Sequence, residues 1–409
     1  MSEQENKRKR LWVVSELYYP EDTSTGYYLT RIAEGLAGDL DVKVLCGQPT
    51  YSKRGMRFSK RELHKNVEIF RVFGTTFDKN VIPLRVVNML TLGASVFFAA
   101  LRRFRRGDKV LVVTTPPTMP FVVAIASLIK GAGYTLLIHD SYPEILVAAR
   151  KTRPESLFFK TASVANRWLY KHCAKIIVVG RDMEEMTRHK THGLDIPIVY
   201  IPNWAELETV SPAPREENTL IKELGIQEKV IFLYAGNMGY PNDMESLIEC
   251  AKRLQDEGQQ KPHFVFLGSG VKRKWLEREV AANGLENVTI LDPRPRSEQQ
   301  EFLNACDIAI VSLVSNMKGV SMPSRTYNIL AAGKPILAIT EPGSEIDLVV
   351  KENAVGWSVF PQKPEELYVT IQQIVSEHDK YAEMGLRARQ AAESEYSLDT
   401  AIERYRSAI

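Results

Sequence analysis

Short apolar, β-branched runs alternate with helix-patterned stretches along this chain, and the alternation stops once and then restarts. In the first half the runs fall at 11–14, 42–45, 67–72, 110–114, 134–139, 175–179 and 198–201. In the second they fall at 230–235, 264–267, 288–291, 308–313 and 336–339. Those of the second half have the length of strands covered on both faces. Strands separated by helices need crossover connections, which are right-handed and give parallel sheets. Between the halves, residues 202–214 turn to Asn, Trp, Glu, Ser and three prolines, a linker composition. The predicted fold class is therefore α/β: two doubly wound, Rossmann-like domains facing a central cleft. Residues 1–205 form the first domain, 206–395 the second, and 396–409 a closing helix that packs back toward the first. Ligands of such sheets bind beyond the carboxyl ends of the strands, here in the shared cleft.

Composition narrows the function classes. A length of 409 residues favours two or three domains, and 44% apolar with 25% charged residues suits ordinary soluble cores. Cys46, Cys173, Cys250 and Cys306 lie far apart without metal-ligand spacing, as reduced thiols of a cytosolic protein do. The first ten residues are polar and charged rather than a signal peptide. The longest charge-free apolar run, 86–101, falls short of the ~20 residues that span a bilayer. A cytoplasmic chain is expected, at most resting on the inner face of a membrane.

Charge is uneven. Residues 1–205 hold 31 Lys and Arg against 19 Asp and Glu, whereas the remainder holds 22 against 31. A basic surface attracts lipid headgroups or nucleic acid. With no nucleic-acid reader motif and no interleaved aromatic stripe, nucleic acid is set aside. An anionic membrane surface stays a candidate partner, through the basic loop 53–65 and an apolar helix over about 83–104. That helix ends in Arg102, Arg103, Arg105 and Arg106. A sheet-covering helix with a basic carboxyl end would look the same.

The motifs sit at strand ends. Gly26 opens the first helix, where a missing side chain lets backbone approach a ligand and leaves N–H groups free for an anion. His139-Asp140-Ser141-Tyr142-Pro143-Glu144 closes a central strand with two ionisable groups. Gly236-Asn237-Met238-Gly239 and Gly268-Ser269-Gly270 follow consecutive strands and make room for a ligand. The most specific stretch, 321–335, reads SMPSRTYNILAAGKP. Ser321 or Ser324 can cap, Pro323 suits a first turn, and Gly333 stops the helix. Its amino end offers N–H groups and a positive dipole to a phosphate, with countercharge from Arg325 or Lys318. No metal is expected, because carboxylates and histidines nowhere cluster with ligand spacing. No cofactor is expected either: there is no G-x-G-x-x-G.

In order and spacing these motifs resemble glycosyltransferase family 4, especially its bacterial capsule, exopolysaccharide and O-antigen branch. The resemblance runs over nearly the whole chain. It takes in 16–20 (ELYYP) with Gly26, the HDSYPE segment, Ile201-Pro202-Asn203 and YAGNMG. It continues through FLGSG, NVTIL, Ala305-Cys306-Asp307 and PSRTYNILAAGKP. It implies the GT-B fold, a nucleotide-sugar donor held mostly by the second domain, and a lipid-linked or oligosaccharide acceptor held by the first. It further implies transfer with retention of configuration, a hexosyl or N-acetylhexosaminyl group moved, and a role in cell-surface polysaccharide synthesis.

By the resemblance Asp140, with His139 as second choice, meets the transferred sugar. Gly26, Asn237, Gly239 and Gly268 lie against the donor, Ser324 and Arg325 hold its diphosphate, and Arg294 and Arg296 lie by the base. Much of the family carries two glutamates eight positions apart around the last helix, the second on the ribose. Here those positions are Val320 and Asn328, and Glu345 is the nearby acid that could contribute. An epimerase of nucleotide sugars or a non-catalytic homologue would share the fold. The first needs more acid–base groups at the sugar than HDSYPE supplies; the second binds donor without turnover.

Overall fold

A computed structural model describes residues 8–50, 56–77 and 81–409. Its first sheet contains β1 (Arg10–Ser15), β2 (Asp41–Cys46), β3 (Arg61–His64), β4 (Val67–Arg71), β5 (Lys109–Val113), β6 (Gly133–Ile138), β7 (Lys175–Val178) and β8 (Ile198–Tyr200). Their order is β3-β4-β2-β1-β5-β6-β7-β8. All neighbours are parallel except β3 and β4. The second sheet holds β9 (Val230–Ala235), β10 (Pro262–Leu267), β11 (Val288–Leu291), β12 (Ile308–Ser312), β13 (Ile336–Ile339) and β14 (Gly356–Val359). It is parallel throughout, in the order β11-β10-β9-β12-β13-β14. In each sheet the strand order reverses beside the first strand of the unit, the place where a crevice opens.

The apolar runs became strands because each supplies side chains to both faces: Val13, Val44, Leu111, Leu136 and Ile177 are all fully buried. Two edge strands carry no such run. In β3 the residues Arg-Glu-Leu-His alternate between exposed and half-buried, and β14 begins at Gly356. The basic loop expected over 53–65 is thus partly strand, and its residues 53–55 lie outside the described ones.

Helix Ser24–Leu36 packs through Tyr28, Leu29, Ile32 and Leu36. Helix Ile82–Arg103 is longer than its charge-free run implied. The stretch Pro83–Arg103 has 21 residues and contains a window with a mean hydropathy of 1.7, long and apolar enough by length and composition to cross a membrane. It lies on the first domain, with Leu92, Val96 and Ala100 buried beneath it.

The two sheets meet along a continuous seam. Ser141 N donates to Val320 O at 2.8 Å, Gly319 N donates to an Asp182 carboxylate oxygen at 2.8 Å, and Asp140 pairs with Ser321 as an isolated antiparallel bridge. The Glu345 carboxylate of the second unit is buried against Arg181 and Tyr200 of the first. The chain crosses the seam twice, side by side, where Ala205 N donates to Tyr396 O at 2.8 Å. After the second crossing, helix Leu398–Ala408 lies on helix Ser24–Leu36, with Ile402 against Gly35 and Arg406 paired to Asp39 at 2.6 Å. Lys109 and Lys175 bond to the carbonyls of Ile409 and Ala408.

Candidate active site in the interdomain cleft

Two cavities of about 400 and 270 Å³ open at the facing strand ends, and both are lined by Ala235, Gly236, Asn237, Gln299, Arg325 and Asn328. The larger one adds His139 and Asp140 from the end of β6, Ser24 and Tyr28 from the first helix, and Ser324. The smaller one reaches into the second domain past Gly268 to Arg294. Polar strand ends of one sheet thus confront a cationic, glycine-walled recess of the other.

On the first-domain side, Thr114 clamps the loop after β6. Its hydroxyl donates to Asp140 O at 3.1 Å and lies 3.3 Å from the His139 backbone N–H, which donates to it. The Asp140 carboxyl is pushed up to about 6 because burial disfavours its charge, against a lowering hydrogen bond from Ser321. Burial pushes the His139 imidazole down to about 4, so it is neutral near pH 7. Its Nε2 is buried without a hydrogen-bond partner. Such an atom is costly to leave unsatisfied, which suits a position that a ligand hydroxyl completes.

On the second-domain side, Arg325 opens helix Arg325–Ala331. Its guanidinium lies over the Tyr234 ring, 4.6 Å from the centroid, and donates to Ala235 O at 3.2 Å. No carboxylate pairs with it among the described residues, so its charge is uncompensated toward the cleft. Gly236 lies directly beneath: a Cβ there would stand 2.7 Å from Arg325 Nη1, and φ is +149°. Ser324 Oγ lies 2.7 Å from Ser24 Oγ, joining the amino ends of two helices across the cleft.

Other residues named from sequence are placed differently. Gly26 lines neither cavity, and its N–H is not free but donates to Thr23 Oγ1 at 3.3 Å as part of the helix cap. A Cβ on it would meet Glu21 O at 2.8 Å, so the close approach that excludes a side chain is to backbone. Gly239 is buried behind Asn237, off both cavity walls. Arg294 lines the smaller cavity and pairs with Glu298 at 3.4 Å. Arg296 lines the larger cavity, where it pairs with Glu206 at 2.6 Å and lies 3.9 Å from the Tyr27 ring centroid. Lys318 lines neither cavity. Glu345 does not reach the cleft either. Its carboxylate is consumed by the Arg181 backbone N–H at 2.6 Å, the Arg181 guanidinium and the Tyr200 hydroxyl at 2.8 Å.

Asn328 is fully engaged. Its amide oxygen accepts from Glu206 N at 2.9 Å, and its amide nitrogen donates at 2.6 Å to both Glu206 and Gln299. Sequence reasoning missed Glu206 and Gln299, and carried Gly236 only as part of its segment. Glu206 is a linker residue with no motif around it, yet it brings a carboxylate against the helix position where the resemblance expected one. Gly236 heads the GNMG segment, and its place at the strand end was the available signal. Among the described residues no group of three or more His, Cys, Asp or Glu converges as a metal site.

Residues 216–391 match the family described as Glycosyl transferases group 1. WbjE of Pseudomonas aeruginosa, named as a glycosyltransferase, is 28% identical over 376 residues, 89% of each chain. WcaI of Escherichia coli K12, named for colanic acid biosynthesis, is 25% identical over 370 residues, 87% of this chain and 89% of its own. Anabaena HepE, solved with UDP-glucose, superposes with a TM-score of 0.70 at 17% identity, covering 98% of this chain and 100% of its own. The architecture is the GT-B arrangement.

The second-domain wall tolerates no side chain at Gly268. A Cβ there would stand 2.0 Å from Gly236 O, with φ at +147°. Gly268→Ala should lower stability by about 1–3 kcal/mol, read as a lower urea midpoint. Gly38→Ala, with open space around it, should leave the midpoint unchanged.

Proposed function

Because this chain carries a group 1 glycosyltransferase domain in a GT-B frame, we propose that it moves a hexosyl or N-acetylhexosaminyl group from a nucleotide-sugar donor to a lipid-linked acceptor, with retention of configuration, in cell-surface polysaccharide synthesis of the capsule or O-antigen kind. The carrying observation is the unpaired Arg325 guanidinium over glycine-walled strand ends, facing His139 and Asp140 across the cleft. HepE was solved with UDP-glucose, and WcaI is named for colanic acid biosynthesis; both support the reading. The protein would act in the cytoplasm, in peripheral contact with the inner face of the membrane that holds the acceptor.

In this reading the nucleoside lies in the smaller cavity, toward Arg294, and the diphosphate at Arg325 and Ser324. The sugar reaches His139 and Asp140. Transfer builds negative charge on the departing diphosphate and positive charge at the anomeric carbon. Arg325, held by its ring and by Ala235 O, offsets the first without reorganising. The Asp140 carboxylate, in a poorly solvated wall, offsets the second. Neutral His139 offers Nε2 to a sugar hydroxyl. The acceptor attacks on the leaving-group side and passes its proton to the phosphate, so no enzymic nucleophile is needed.

Arg325→Ala should weaken binding of a nucleoside diphosphate by about 1.5–3 kcal/mol, the worth of a charged hydrogen bond. Calorimetry checks it; unchanged affinity would remove Arg325 from the phosphate site.

Turnover at saturating donor should fall as pH drops through about 6, because protonation removes the Asp140 charge. His139, near 4, adds no step between pH 5 and 9. Asp140→Asn should lower the rate, abolish this limb and leave nucleoside diphosphate binding nearly intact. A variant with wild-type rate and limb would place the chemistry elsewhere.

Turnover should also persist in EDTA, since the countercharge is a guanidinium. Activity lost to EDTA and restored only by Mg²⁺ or Mn²⁺ refutes a metal-free route.

A further inference from the structure

Large apolar side chains are exposed very unevenly over this molecule. Of the twenty-one that are exposed among the described residues, eleven lie on three helices of the first domain: Ile82–Arg103, Met119–Lys130 and Leu157–His172. Only five lie beyond residue 205, scattered singly. Helix Met119–Lys130 packs between the other two, so the three form one layer over the sheet.

The outward residues follow helical spacing. Val87, Leu90 and Phe98 stand on the first helix, Ile125 and Ile129 on the second, and Leu157, Val164 and Trp168 on the third. Leu90, Phe98 and Ile129 are each more than 60% exposed, and Leu157 and Val164 more than 70%. A contiguous apolar face of this kind marks an interaction surface.

Charge says what covers it. The three helices contain no Asp or Glu, and between residues 79 and 139 the one carboxylate is Asp108. Asp108 is buried and bonded to Trp12 Nε1 at 3.0 Å and to the Arg105 backbone N–H. All three helices end in cations: Arg102 and Arg103, Lys130, and Lys171. Arg106 lies against Gly131, bringing two of those ends together. A second copy of the chain would bring the same cationic rim against this one. An anionic bilayer brings the opposite charge and an apolar interior.

We propose that this three-helix layer is a membrane-docking face, its apolar centre entering the headgroup region of an anionic bilayer and its cationic ends lying on the lipid phosphates. The binding is interfacial, since Leu92, Val96 and Ala100 hold helix Ile82–Arg103 to the domain. Beyond an attraction of basic charge alone, the face inserts side chains. It also explains a recess on the inner side of the same helix. Arg85, Asn88 and Leu92 line it, and it continues to Tyr142, two residues from Asp140. One helix therefore touches lipid on one side and leads toward the cleft on the other, where a lipid-linked acceptor would enter. The proposal rests on the preceding reading only for that acceptor.

The test uses the full chain and vesicles of phosphatidylcholine with or without phosphatidylglycerol, in the absence of donor and acceptor. Co-sedimentation with the anionic vesicles is expected, and little with the neutral ones. The triple variant Leu90→Gln, Phe98→Gln, Ile129→Gln should bind about tenfold more weakly, whereas Val369→Gln with Leu386→Gln on the second domain should bind as the parent does. Brominated lipid should quench part of the tryptophan emission, and Trp168→Phe should remove that part, a readout independent of the triple variant. The proposal falls if the parent chain ignores anionic vesicles at low salt, or if the triple variant binds as well as the parent. It also falls if the parent is a dimer that the triple variant dissociates while neither binds vesicles. Turnover on a water-soluble acceptor does not involve this face, so a parent chain that turns over such an acceptor yet ignores anionic vesicles would overturn the docking and spare the transferase.

Discussion

A carboxylate buried at the seam holds the two halves in register. Glu345 is 1% exposed, and a charge so placed is expensive unless every lone pair is answered. Three groups of the first domain answer it: the Arg181 backbone N–H, the Arg181 guanidinium and the Tyr200 hydroxyl. Removing one partner of such a pair commonly costs about 3–5 kcal/mol, because the other charge stays buried. Sliding one sheet past the other would strip Glu345 of all three partners at once. The strand ends therefore face each other in one arrangement, with Asp140 bridged to Ser321 and Ser24 touching Ser324. The cleft chemistry is borrowed from this seam, since the groups that surround a ligand come from both sides of it.

The fold was legible because parallel strands covered on both faces are mostly apolar, and the twelve short runs in the sequence were mostly apolar too. The strands that escaped notice sit at edges. There β3 draws its pairing from one neighbour and leaves Arg61 and Leu63 to solvent, so no apolar run is required. The cleft was partly legible for a similar reason. Asp140, His139, Gly268, Ser324 and Arg325 stand where a strand stops or a helix starts, and sequence patterns mark such junctions. Contacts between residues far apart in the chain left no local mark. Glu206 meets Asn328 and Arg296 across more than eighty residues of chain, and Glu345 looked available only because its partners, Arg181 and Tyr200, are distant in sequence. Gly26 shows the opposite error. Its glycine was read as room for a ligand, whereas the room is filled by the Glu21 carbonyl and its N–H by Thr23.

The two walls of the cleft are built by different physics. The second-domain wall is backbone and fixed charge: glycines that admit no side chain, and a guanidinium pinned on Tyr234. The first-domain wall is made of groups whose charge burial has altered, an acid pushed up and an imidazole pushed down. A permanently charged wall suits a part of the ligand that is always anionic. A wall whose protonation is tuned suits the place where charge changes during reaction.

The last helix carries a consequence for how the molecule is made. Ile402 fills the space over Gly35, and Tyr405 is buried with the same face, so the first domain borrows part of its outer layer from a helix that follows the second. On a ribosome, residues 1–205 emerge long before Leu398–Ala408 exists. Until then the face of the first helix at Gly35, which Ile402 covers, is open to solvent. Because helix Leu398–Ala408 follows the second domain in the chain, it reaches the helix made first only after both domains have been synthesised.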